Sequence, residues 1–175
     1  MDDRLQAYAD LLRERAIELG LIAEGDRERI LERHVVDSAR AAQHIRTGEW
    51  VADLGSGAGL PGIPLAIAVP EAGVVLVEPR QKAVAFLELA VERLALRNVE
   101  VFAGRVEEMD RRVDVATARA FGPLGRSWEA ARMVLRPGGR LIYFAGASFE
   151  REEAAHLAHV EFDSSPPLVI VTLEE

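Results

Sequence analysis

The chain is 175 residues long, 49% hydrophobic and 29% charged, with a formal net charge of −8 and no cysteine. That length suits one domain with a full core, and the missing cysteines exclude disulfides, thiolate metal sites and a cysteine nucleophile. No apolar run approaches the roughly 20 residues that a bilayer demands, and the opening MDDRLQAYAD is acidic rather than signal-like, so the expected compartment is the cytoplasm.

Residues 3–19 repeat Leu5, Tyr8, Leu12, Ala16 and Leu19 at helical spacing, with Gly20 as a stop. A second helix is predicted from Asp26, as N-cap, to about Ile45, and Gly48 ends it. From Trp50 the rhythm changes. Strands are predicted at 50–54 (WVADL), 73–78 (GVVLVE), 99–103 (VEVFA), 113–118 (VDVATA) and 140–145 (RLIYFA), with helices at 61–68, 80–96 and 123–135. HVEF and LVIVTL close the chain as a hairpin around a turn at residues 163–167, where two serines and two prolines follow Asp163. Apolar strands alternating with helices imply a mostly parallel α/β sheet covered on both faces, with a C-terminal antiparallel hairpin. Residues 1–48 then form a helical cap on a body of residues 49–175, all within one domain.

Charge is uneven along the chain. Residues 101–140 carry eight arginines against five acidic residues, while the segments on either side are net acidic. Solvated helix faces account for such a block as readily as a nucleic-acid surface does.

The segment VADLGSGAGLPGIPL (51–65) lies between the first body strand and the next helix, where open parallel sheets bind ligands. Gly55, Gly57 and Gly59 permit tight curvature and close ligand approach, and Pro61 suits a helix start. Glu78, 19 residues beyond Gly59 at the end of the second strand, is placed to accept hydrogen bonds from ribose hydroxyls. Gly57 to Gly62 formally satisfies the G-x-G-x-x-G of dinucleotide sites. However, Asp53 precedes Gly55 by two residues and Pro61 removes a donor that a pyrophosphate would use. An acid there suits a cationic, phosphate-free ligand. S-adenosylmethionine, with its ammonium and sulfonium, is therefore the expected cofactor rather than NAD.

Residues 20–145 resemble the GidB/RsmG family, bacterial methyltransferases of 16S ribosomal RNA that modify a guanine at N7. The resemblance is carried by ERHVVDSA (32–39), DLGSGAGLPGIPLAI (53–67), VEPRQKAVAFL (77–87), GRVEEM (104–109) and ATARAFGPL (116–124). It implies a Rossmann-like class I S-adenosylmethionine-dependent methyltransferase. Gly55 and Leu60 would border the methionine end of the cofactor, Glu78 would hold the ribose, and Val106 and Glu107 would flank the adenine. Arg119 would stand where cofactor and target meet. The expected cofactor residues are therefore Asp53, Gly55, Gly57, Gly59, Leu60, Glu78, Val106, Glu107 and Arg119, with Arg119 also the positioning residue for chemistry. The implied partner is 16S rRNA or the small ribosomal subunit, bound by a monomer without metal or membrane.

A methyltransferase of the same fold acting on a small molecule or another RNA stays open. For an acceptor that must lose a proton, His34 or Asp37 would be the candidate bases. Otherwise His34 reads as a packed or capping residue, Asp37 and Ser38 as partners of backbone or Arg33, and Phe121 and Trp128 as core.

Overall fold

Among the described residues, seven strands make one sheet: β1 (Trp50–Leu54), β2 (Gly73–Val77), β3 (Val99–Phe102), β4 (Val113–Arg119), β5 (Leu135–Phe144), β6 (Val160–Asp163) and β7 (Leu168–Thr172). The computed structural model describes residues 2–163 and 166–174, so Ser164 and Ser165 of the expected hairpin turn lie outside the described residues. The strand order is β3-β2-β1-β4-β5-β7-β6. The first five strands run parallel, and β7 pairs antiparallel with both β5 and β6. The chain builds outward from β1 through β3, then returns to lay β4 on the other side of β1. That reversal opens a crevice at the carboxyl ends of β1 and β4, the usual ligand position in such sheets.

Ahead of the sheet, α1 (Asp3–Leu11) continues into a π-helical turn, Leu12–Ala16. The expected second helix is helical in parts: a 3-10 segment at Glu24–Arg29, a π segment at Ile30–Val36, α2 (Asp37–Ala39) and a 3-10 segment at Arg40–His44. Asp26 is not its N-cap, because helical turns begin earlier and its carboxylate faces Arg33 at 2.8 Å and His34 at 3.1 Å instead.

The remaining helices are α3 (Gly62–Ala68), α4 (Gln81–Arg93) and α5 (Leu124–Arg132). Alternation along the strands sends Val51, Leu76 and Val115 to one face, where Tyr8, Leu12, Leu65 and Phe86 from the cap, α3 and α4 cover them. Leu54, Val75 and Leu141 point to the other face, against Leu124 and Ala131 of α5. Each such leucine, taken fully from water, contributes about 1.5–3 kcal/mol. Strand β5 starts five residues earlier than expected, at Leu135, with a register shift opposite Val113–Val115. Its Pro137-Gly138-Gly139 reads locally as a turn and is carried instead as an irregularity at the strand's start.

Candidate active site

The turn after β1 carries the candidate site, and close packing imposes two of its glycines. Gly55 has φ +65°, and a Cβ there would lie 2.7 Å from the Phe121 ring. Gly59 has φ +90°, and a Cβ there would lie 2.5 Å from Ile63 and 3.0 Å from the Tyr8 hydroxyl. Both positions therefore exclude a side chain on conformational and steric grounds. The Ser56 N–H donates to the Val77 carbonyl at 3.0 Å, tying the turn to the end of β2.

Asp53 lies beneath this turn, with no exposed surface. Its Oδ2 accepts the Gly62 N–H at 3.1 Å and its Oδ1 accepts the Thr117 hydroxyl at 3.0 Å. Burial pushes the carboxyl up to about 6, against the hydrogen bonds that favour its charged form. Asp53, expected at the ligand, thus binds the N-terminus of α3 and the Thr117 hydroxyl. The Ile63 N–H donates to the Gly59 carbonyl at 2.8 Å, and Pro61 and Pro64 have no N–H to offer. The donors that would cradle a phosphate at this helix start are engaged or missing.

Two cavities meet at Gly55. One, of about 300 Å³, lies between the turn and the cap and is lined by Gly57, Leu60, Ile22, Asp26, His34 and Arg119, among others. The other, of about 250 Å³, is lined by Val77, Pro79, Val106, Glu107 and Phe121. The structure thus brings Gly55, Gly57, Leu60 and Arg119 to one compartment and Val106 and Glu107 to the next. Gly59 faces neither, because it packs against Tyr8 and Ile63. Glu78 is not among the residues lining either; it is 1% exposed, its carboxylate accepting the Gly57 N–H at 2.8 Å and the Arg80 side chain at 2.8 Å.

Arg119 ends β4 and fastens the cap to the sheet. Its guanidinium donates to the Arg33 carbonyl at 2.8 Å, the His34 carbonyl at 2.9 Å and the buried Ser38 hydroxyl at 2.6 Å. Asp37 lies 3.4 Å away and also pairs with Arg40 at 2.8 Å. His34 forms part of the cavity wall. Burial and the neighbouring Arg119 hold its pKa below the usual histidine range, with Asp26 opposing them. Trp128 and Phe121 are partly buried against the core, and Phe121 also lines the second cavity.

The arginine block is largely engaged within the protein. Arg111 pairs with Glu100, Arg132 with Glu129, Arg136 with Asp114 and Arg140 with Glu49. Arg105 and Arg126 stand at the second cavity.

Sequence reasoning missed Tyr8, Asp26 and Arg80. Tyr8 carried a usable signal, since a hydroxyl on an apolar helical face needs a buried partner. It donates to the Ala58 carbonyl at 2.5 Å. Among the described residues there is no cluster of three metal-ligating side chains, and no helix long and apolar enough to cross a membrane.

Comparison with solved structures places the fold among S-adenosylmethionine-dependent methyltransferases. An O-methyltransferase from Thermotoga maritima aligns with TM-score 0.64 and 19% identity, over 80% of this chain and 65% of that one. A methyltransferase from Aquifex aeolicus aligns with TM-score 0.62 and 16% identity, over 90% and 96%. Sequence relatives share more. The ribosomal RNA small subunit methyltransferase G of Mycobacterium sp. (strain KMS) is 41% identical over 86% of this chain and 70% of its own length. Its namesake from Salinispora arenicola (strain CNS-205) is 43% identical over 91% of this chain and 71% of its own length. The GidB family profile, described as rRNA small subunit methyltransferase G, matches residues 1–175, and the chain belongs to that family.

Proposed function

We propose that this protein transfers a methyl group from S-adenosylmethionine to guanine N7 in small-subunit ribosomal RNA. One observation carries the choice of ligand: the start of α3 is closed to phosphate by Asp53 and two prolines, while Glu78 stands beside the turn as a diol acceptor. The residues fit the cofactor. Asp26, on the wall of the first cavity, would share with an ammonium the carboxylate that now faces Arg33 and His34, and the apolar Val77 and Val106 of the second offer a slot for a purine. An acid at the ribose suits either nucleoside, but a helix start without free donors for a pyrophosphate disfavours NAD.

When bound, S-adenosylmethionine supplies an electrophilic methyl on a sulfonium. The chain's own work is alignment. Guanine N7 already has an accessible lone pair, so no proton need be removed first, and His34 and Asp37 are not required as bases. Holding the reacting atoms in line is worth up to about 7–11 kcal/mol of the barrier. Arg119 acts as a positioning residue, because it fixes cap residues 33–38 against the end of β4 and so sets the width of the crevice. Arg105 and Arg126 supply local cation contacts for RNA on a chain whose net charge of −8 gives little long-range attraction. We take the protein to act as a monomer in the cytoplasm, without a metal.

The test is methyl transfer to small ribosomal subunits that lack the modification, followed by mass spectrometry of the RNA digest. N7-methylguanosine is expected. Incorporation at another atom, or none into intact subunits, would overturn the acceptor.

A further inference from the structure

The Glu78 carboxylate is saturated. The Gly57 N–H reaches Oε2 at 2.8 Å and the Arg80 N–H reaches Oε1 at 2.9 Å. The Arg80 side chain adds Nε to Oε1 at 2.8 Å and Nη2 to Oε2 at 3.3 Å. An ionised carboxyl has about four lone-pair directions, and all are in use. Burial raises the pKa of Glu78, but the Arg80 and Gly57 donors outweigh it and hold the group below the usual carboxylate range.

The four donors are not equivalent. Two are backbone groups, fixed by the turn and by the start of α4. The other two belong to a side chain that is 64% exposed, against 2% for the side chain of Glu78. The guanidinium also lies over the glycine turn: its Nη2 would be 3.6 Å from a Cβ on Gly57, and it forms part of the wall of the first cavity. A guanidinium edge presents two parallel N–H donors, much as a vicinal diol presents two O–H donors.

We propose that Arg80 is an internal occupant of the ribose site, and that its guanidinium must swing into solvent before a nucleoside diol can seat on Glu78. This rests on the cofactor reading above. Arg80 then sets cofactor affinity by competition rather than by contact, and its removal strengthens binding. The backbone N–H of residue 80 survives substitution, so Glu78 keeps both fixed donors.

Calorimetry with S-adenosylhomocysteine and with adenosine, on wild type, Arg80→Ala and Arg80→Gln, tests the proposal. Thermal unfolding of each variant checks the fold. Both variants should bind both ligands about three- to fivefold more tightly, the scale of a partly exposed ion pair. Added salt should narrow the gap by screening the pair in wild type. Equal or weaker binding of S-adenosylhomocysteine by folded Arg80→Ala, beside measurable binding by wild type, would overturn the competition and leave the cofactor reading intact. A gain confined to S-adenosylhomocysteine would place Arg80 against the methionine end and also overturn it. If neither wild type nor Arg80→Ala binds either ligand, the cofactor reading fails and the competition with it.

Discussion

The hydroxyl of Tyr8 donates to the carbonyl of Ala58 at 2.5 Å, joining α1 to the centre of the glycine turn across 50 residues of chain. Tyr8 is fully buried, and burial pushes its phenol well above the usual range, so it remains a donor at any physiological pH. The cap is thereby tied to the turn on which the proposed cofactor site rests. Tyr8→Phe keeps the ring and leaves the Ala58 carbonyl without this donor. It should cost about 1–3 kcal/mol of stability and weaken S-adenosylhomocysteine binding. Urea unfolding and calorimetry would check both, and unchanged values in each would show that the bond matters little.

Asp53 makes stability depend on pH in an unusual direction. Its folded-state value of about 6 lies above the ordinary 3.8, so between these limits the native state holds more protons than the unfolded one. Stability from this group is therefore greatest below about pH 4 and falls as pH rises through about 6, by an amount on the order of 3 kcal/mol. Asp53→Asn removes the titration. The melting temperature of wild type relative to Asp53→Asn should rise as pH is lowered from 7 to 4. A difference independent of pH would show that the carboxyl is not perturbed.

Glu78→Ala should weaken S-adenosylhomocysteine binding by roughly 1.5–3 kcal/mol, the range for hydrogen bonds to a charged group. Glu78→Gln should retain part of the affinity, because one acceptor oxygen remains. Wild-type affinity in Glu78→Ala would remove this residue from the ribose site. NAD, titrated alongside, should not bind.

Arg119→Ala removes donors to two carbonyls and the Ser38 hydroxyl, which should cost about 2–3 kcal/mol of stability. Turnover on small subunits should fall at least about tenfold, or roughly 1.4 kcal/mol in the barrier. The loss should fall on kcat more than on the affinity for S-adenosylhomocysteine. Arg119→Lys, with a charge but no fork, should recover little of either. Equal losses in cofactor affinity and turnover would make Arg119 a cofactor contact only.

Much of the fold is legible in the sequence, and the failures have physical reasons. Apolar strands alternating with helices, and the β1 turn, point to the sheet and its crevice, because short apolar runs and clustered glycines are local signals. The assignment of Gly55, Leu60, Val106 and Glu107 comes from motif resemblance, and these residues line the two cavities. Asp53 stands out in the sequence, but its direction does not. An acid two residues before a glycine turn looks the same whether it faces outward to a ligand or inward to the next helix. Its partner Thr117 is 64 residues away. Arg80 is invisible for a different reason, since nothing in VEPRQK distinguishes an arginine that folds back two residues from one that points to solvent.

The cap's attachments also bear on the order in which the molecule assembles. Beyond Tyr8, residues 33–38 are held by Arg119, the His44 carbonyl by Arg140, Gln43 and His44 by Asp163, and Arg40 donates to the Pro166 carbonyl. Each anchor lies 81 to 126 residues downstream of what it holds. During synthesis these polar links of the cap therefore wait until β4, β5 and the hairpin of β6 and β7 have emerged, although its apolar face meets α3 earlier. Contacts of such separation form late and slowly. The amino-terminal segment is thus made early, while the links that tie it to Arg119, Arg140, Asp163 and Pro166 complete only after residue 166 has emerged.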